Sequence, residues 1–581
     1  MGFMIRLALV LVLTLFARQQ AQQPYGISYR LGMPRPASHL FEVTIDVSIP
    51  PTDQTAFIDF QIPKWQPGRY SVADFAANVQ EFSARAQEGQ LSWTKVDDQT
   101  WRVQRQGKPN VTATYRIFGN DLSGTYAQLD VGHASYTGGE IFMYVVGHKP
   151  DPVDLRIEPP PNWRVINGRT ERPNQLEWKY PDYEIMIDNP TEIGPDWTLD
   201  EFKVDGKTYR VMIHSRGEEG GRRPAFVRDV EKIVRAEIRM WGTPEFNNYT
   251  FMFHFANDDH SSDGMEHLTS TQIIEPGVLA ERSAYEGAIR TTAHEFFHAW
   301  NVKRLRPAEL GPWDWTRPAV TRALWIAEGF TQCQLMSAEA SSMAAPFIDA
   351  ALHRQRTNLS NTSLSYYLKG ELIALNLDLL IREKTRGRRS LDDVMRRAYD
   401  EFYLKSPNAS YYLKGRGYSI EDFARVVSEI AGTDMNEFFA RYIRGTELLP
   451  YDKAFQAVGL RLVKSPASLP YTGGIVIDQP NRQALRIDAL RIDSPAERAG
   501  LQEGDVLVSI GGMPVTRENW RYVLNGFKQG DRVPITVQRF RKNLDLTIQL
   551  ETPEVYNYRI EEEPDASAQE RALRQAWLGG N

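Results

Sequence analysis

From Tyr25 to about Trp197 apolar and polar residues alternate with a period of two. Phe41, Val43, Ile45, Val47 and Ile49 interleave with Glu42, Thr44, Asp46 and Ser48, and Val111, Ala113, Tyr115 and Ile117 repeat the pattern. Successive side chains of a strand point to opposite faces, so this alternation predicts strands buried on one side. Turn-forming runs, Trp65-Gln66-Pro67-Gly68 and Glu158-Pro159-Pro160-Pro161, punctuate them. Residues 25–204 are therefore expected to form an antiparallel all-β domain, a sandwich.

Beyond it the period changes. Strands are expected at Tyr209 to Ile213 and Tyr249 to Ala256, and helices from about Arg282, one of them spanning Thr321 to Ser337. Ser390 with Asp393 and Ser419 with Asp422 have capping-box spacing, and Gly432 supplies a helix stop. Residues 205–450 thus read as a mixed core followed by a helical subdomain. The run Ser494 to Leu501, followed by Gly504 to Gly512, reads as a short helix, a turn and a strand entering a tight hairpin. It resembles a bacterial PDZ domain, placed at 455–552, with a charged tail at 553–581 that includes a short helical run. SYYLKG occurs twice, at 365–370 and 410–415, which is read as coincidence.

Composition narrows the classes. The net charge of -6 argues against a nucleic-acid partner. Residues 1–21 carry Arg6, the apolar run Leu7 to Ala17 and a polar stretch to Ala21, the layout of a secretory signal peptide cleaved near Ala17 or Ala21. That run is too short for a bilayer span, so the mature chain is expected to be exported without one, to the periplasm or beyond. Cys333 is the single cysteine of the chain, so no intramolecular disulfide can form; it is read as core packing.

The chemistry concentrates at His294-Glu295-Phe296-Phe297-His298. On a helix, positions i and i+4 share a face, so two imidazoles can hold one zinc ion while the intervening glutamate flanks its water. Catalytic zinc takes a third protein ligand. Glu328 is favoured, because it lies in the strongly patterned Leu324 to Thr331 segment, where an unpaired carboxylate is costly to bury. Glu309 is the competitor, but Pro307 and Pro312 place it in a loop. Glu295 is then the general base, and a tyrosine at 366 or 367 can steady a developing oxyanion.

HEFFHAWNVKRLRP, LWIAEGFT, YYLKG and the Tyr183 to Pro190 segment together resemble the glycyl aminopeptidases, metallopeptidase family sixty-one, which are gluzincins. The resemblance covers nearly the whole chain. It implies a multidomain fold: an all-β N-terminal domain, a thermolysin-like α+β zinc peptidase core with a helical subdomain, and a C-terminal PDZ-like β domain. It implies an aminopeptidase removing N-terminal Gly or Ala, with one zinc held by His294, His298 and Glu328 and with Glu295 as base. Gly264-Met265-Glu266-His267 matches the GxMEN strand of related enzymes, so Glu266 is expected to bind the substrate ammonium; His267 departs from the usual asparagine. Tyr367 of the Y-x-K-G motif is the expected oxyanion donor, with Tyr366 and Tyr412 as alternatives.

Several features receive ordinary readings. His254, in an apolar strand, is read as a satisfied structural histidine and His260 as a loop residue, so no second metal is expected. Asp258, Asp259 and Asp263 are read as a solvated loop rather than a calcium site. Asn301, Lys303 and Arg304 are open between support of the site and plain helix-end cations. Gly473-Gly474-Ile475 is the nearest candidate for a PDZ carboxylate loop. The rival functions are an inactive peptide-binding scaffold and, among enzymes, an endopeptidase.

Overall fold

The computed structural model describes residues 23–256, 262–328, 337–351, 365–466, 475, 485–490, 494–524, 526–551 and 556–579. Residues 1–21, read as a signal peptide, lie outside these, as do Asp258, Asp259, His260, Cys333, Gly473 and Gly474. The chain divides into two compact units: residues up to Arg306 with Gly311–Pro318 and Ser406–Arg416, and the remainder.

In the first unit the period-two segments are strands. Phe41, Val43, Ile45 and Val47 of Leu40–Ser48 are 0–2% exposed, as are Val111, Ala113, Tyr115 and Ile117 of Asn110–Phe118, and the two strands pair antiparallel. They lie inside a seven-stranded sheet, accompanied by two four-stranded sheets. One pair departs from the antiparallel expectation: Gly26–Gly32 runs parallel to Val153–Glu158. Alternation determines which face is buried but not the direction of the neighbour, and the long run of chain between these strands permits the crossover that parallel pairing needs.

A five-stranded sheet follows, in the order Thr198–Val204, Lys207–Ser215, Asn248–Ala256, Ser270–Pro276, Asp263–Glu266. Its three central strands are parallel and both edges antiparallel. Helix Arg223–Trp241 makes the first crossover and buries Phe226, Val230, Val234, Ile238 and Trp241, a stripe at helical spacing. Segment 311–318 is anchored where Trp65 Nε1 donates to the Asp314 carbonyl at 2.8 Å and Lys64 N to that of Trp315 at 2.9 Å.

The second unit is helical and then β-rich. Capping boxes form at Ser390/Asp393 and Ser419/Asp422, and Gly432 ends its helix in the left-handed region at φ 69°. Of the expected helix from Thr321 to Ser337, Leu324–Ala327 is helical and residues 329–336 lie outside the described residues. The PDZ core gathers Ile487, Val533, Val537 and Ile548, all fully buried, around the sheet of Val506–Ile510, Arg532–Arg539 and Lys542–Gln549. The C-terminal residues are folded as well. Tyr556–Glu562 pairs antiparallel with Leu460–Pro466, and Leu573 of helix Ala568–Leu578 packs on Leu379, Phe455 and Val458.

Candidate active site

Helix Arg282–Phe297 follows the core strand Ser270–Pro276 and carries the HExxH segment on its last turn. Small residues let it lie close to the sheet: a Cβ at Gly287 would stand 2.1 Å from Glu275 Oε1. His294 is exposed, whereas Glu295 and His298 are buried. His298 Nδ1 lies 2.7 Å from the Asn301 carbonyl oxygen. A carbonyl can only accept, so Nδ1 carries the proton and Nε2 keeps its lone pair. That Nε2 faces His294 Nε2 at 3.0 Å. Two imidazole nitrogens converging in this way fit a single zinc ion, whose N ligands stand about 2.0–2.1 Å from the metal.

Two carboxylates complete this face of the first unit. Glu266 ends the edge strand Asp263–Glu266 and is 3% exposed, and Glu266, Glu295 and His298 each offer a ligand atom within 4.8 Å of the others. Oε1 of Glu266 has no hydrogen-bond partner among the described residues. Glycines make the approach possible. A Cβ at Gly264 would sit 2.1 Å from Glu295 Oε1, and one at Gly68, whose φ is +93°, would meet Met265 Sδ and stand 2.9 Å from Glu266 Oε2. Gly68 belongs to the Trp65-Gln66-Pro67-Gly68 turn, so the N-terminal β region covers the Glu266 strand. The negative charge of this corner is felt at the buried Tyr249 hydroxyl, which burial, and then Glu295, Glu237 and Glu266, push well above the usual tyrosine range.

After His298 the chain turns sharply, with Val302 at φ 124°, a conformation that β-branched residues rarely adopt. The turn sends Lys303 back to Asp188, 3.0 Å away, with both side chains buried. The same carboxylate accepts from the Leu268 backbone and contacts His267 Nδ1, each at 3.0 Å. Burial opposes its ionisation, but Lys303 and His267 together hold the Asp188 carboxyl below its ordinary value. Lys303 is thus an internal support, and His267 serves the same node. Asp188 is a residue that sequence reasoning passed over, although the Tyr183 to Pro190 segment was in view.

Asp263 is committed to Arg69 and to the Gly124 backbone N–H at 2.8 Å. In the second SYYLKG copy, Tyr411 donates to Glu184 and Tyr412 accepts from the Trp313 backbone N–H, both at 2.5 Å, so Tyr412 has a structural partner. Within the second unit, Glu328 caps helix Leu324–Ala327 and is 6% exposed, and Glu309 accepts from the Thr321 hydroxyl at 3.2 Å. There too, Ser365 caps helix Tyr366–Thr385; Tyr366 is buried and Tyr367 is 39% exposed, their rings stacked 4.7 Å apart.

A parallel-centred sheet with an HExxH helix packed on it, and a buried edge-strand carboxylate beside the helix's own glutamate, defines a metallopeptidase. Comparison with known proteins sharpens this. Residues 28–195 match the Peptidase M61 N-terminal domain, 288–343 match the M61 glycyl aminopeptidase and 486–539 match a PDZ domain. These matches are to the two parts of the M61 glycyl aminopeptidases, and the protein is a metalloaminopeptidase. Among solved structures, an aminopeptidase N family protein from Idiomarina loihiensis is similar over 95% of this chain and 100% of its own, with 23% identity and a TM-score of 0.83, a likeness of fold. An M1 zinc metallopeptidase from Deinococcus radiodurans aligns over 74% of this chain and 96% of its own, with 14% identity and a TM-score of 0.39. No curated protein matches the chain.

Proposed function

We propose that this protein is a zinc-dependent aminopeptidase that removes N-terminal glycine, and alanine less well, from peptides outside the cytoplasm. The observation that carries the reading is the buried Glu266 carboxylate beside Glu295 and His298. A negative group at that place pairs with a free N-terminal ammonium and leaves an internal or blocked peptide without a counter-charge. Its preference for glycine rests on the family match.

His294, His298 and Glu328 are the residues that would hold the metal, all three within the matched stretch 288–343. Bound there, zinc supplies a Lewis acid that polarises the scissile carbonyl and brings the pKa of water to about 7. Glu295 takes the proton of the attacking water and hands it to the departing amine. The Asn301 carbonyl keeps His298 in the tautomer that presents Nε2. Glu266 fixes the substrate's N-terminus, and Tyr367 donates a hydrogen bond to the developing negative oxygen. Residues 1–21 act as an export signal, with Arg6 ahead of the apolar run Leu7 to Ala17. The PDZ domain takes an extended peptide or C-terminus at its sheet edge.

The test is hydrolysis of a matched peptide pair, one with free N-terminal glycine and one acetylated, with and without a zinc chelator. Chelator-sensitive cleavage of the free peptide alone is expected. Cleavage of both means an endopeptidase, and cleavage of neither means a binding protein.

A further inference from the structure

Four side chains that the proposed chemistry leaves unused meet elsewhere in the first unit, where a four-stranded N-terminal sheet faces the five-stranded core sheet. His133 immediately precedes strand Ala134–Tyr136, and Glu192 lies on the adjacent strand Thr191–Gly194, opposite Ser135. His214 and His254 are register partners on the parallel strands Lys207–Ser215 and Asn248–Ala256. Each of the four offers a ligand atom within 4.8 Å of the other three. The Glu192 oxygens lie 3.6 Å from His214 Nδ1 and 3.6 Å from His254 Nε2. A tetrahedron with bonds of about 2.0–2.1 Å has edges of about 3.3 Å, close to these separations.

The site is buried and some of its polar atoms are unsatisfied. His133 and His254 are 1% exposed, Glu192 is fully buried and the His214 side chain is 12% exposed. Nε2 of His133 and both ring nitrogens of His254 have no hydrogen-bond partner among the described residues. His254 is therefore not the satisfied structural histidine that its apolar strand suggested. Leaving one buried donor or acceptor unpaired costs on the order of 1–3 kcal/mol, and a cluster of them calls for an ion or water. Behind His133, Asp130 Oδ1 stands 3.5 Å from Nδ1 and its other oxygen is bound by Arg216 at 2.9 Å, the arrangement that orients a ligating histidine.

We propose that His133, Glu192, His214 and His254 form a closed four-ligand site for a second divalent ion of the zinc class, separate from the HExxH site and structural in role. Three imidazoles and one carboxylate suit zinc, whereas calcium and magnesium require oxygen donors. With all four positions filled by protein, no place remains for an activated water. The ion pins the N-terminal β region to the core sheet, beside the Gln272 Nε2 hydrogen bond to Ser135 Oγ at 2.9 Å that joins the same two sheets. This inference does not depend on the catalytic reading.

The test counts metal in a chain whose catalytic ligands are gone. The His294→Ala/His298→Ala protein, loaded with zinc and freed of excess by gel filtration, is expected to retain one ion per chain by mass spectrometry, against two in the unaltered protein. X-ray absorption on the retained ion should show three imidazole donors and one carboxylate. Strong chelation should lower the Tm of this variant, and adding His214→Ala/His254→Ala should remove the ion. Because the cluster is intact in the first variant, the count does not rest on whether cluster variants fold. Retention of no ion, or of one surrounded mainly by oxygen donors, overturns the proposal.

Discussion

The Lys303 ammonium lies 3.0 Å from the Asp188 carboxylate, 115 residues earlier in the chain, and neither side chain has more than 4% of its surface exposed. This pair joins the turn that follows HExxH to the end of the N-terminal β region. Asp188→Asn leaves a buried ammonium without its counter-charge, and breaking a buried pair in this way costs about 3–5 kcal/mol. Urea denaturation should show a loss of that order, and Asp188→Asn/Lys303→Met should recover part of it.

Gly264 is constrained by Glu295. Since an added methyl would stand 2.1 Å from Oε1, Gly264→Ala has to displace the carboxylate or the strand. A misplacement of about 1 Å lowers turnover by about 100-fold. The expected result is a kcat loss of that size with zinc content unchanged; full activity would show that the carboxylate does not work from this position.

The two carboxylates are separable by substrate. Glu295→Gln should keep zinc and lower kcat by at least about 100-fold on every peptide. Glu266→Ala should keep zinc and lose cleavage of free N-termini far more than it loses metal. Equal loss of cleavage and metal would make Glu266 a ligand instead.

Among the tyrosines, Tyr367→Phe should lower kcat by about 100- to 1000-fold with little change in KM. Tyr412→Phe, which removes a hydroxyl bound to the Trp313 backbone, should act on stability instead. The reverse pattern would move the oxyanion role to the second SYYLKG copy.

Acid stability has a marker in the N-terminal β region. Burial disfavours an ionised Asp53, but the Tyr25 hydroxyl, Thr55 and Arg105 outweigh it and lower its pKa to about 2. A carboxyl with a depressed folded pKa stabilises the protein above its unfolded value of about 3.9, and that contribution disappears as pH falls toward 2. Asp53→Asn should therefore lower Tm at pH 7, and its deficit relative to the unaltered protein should shrink between pH 4 and pH 2.

What the sequence determined by itself was everything written in neighbouring residues. Period-two alternation placed the strands around Phe41 and Val111, capping boxes placed two helix starts, and the spacing of His294 and His298 put both imidazoles on one helix face. These features depend on backbone geometry that repeats every two or four residues, so they are legible without a partner. Tertiary structure alone decided the parallel pairing of Gly26–Gly32, the closure of Lys303 on Asp188 and the meeting of His133 and Glu192 with His214 and His254. His214 and His254 stand 40 residues apart, and strand register brings them side by side while the packing of a second sheet brings the other two. Local propensity carries no record of register or of which sheet faces which, so a histidine that reads as ordinary in its own strand becomes part of a site only when the sheets are assembled.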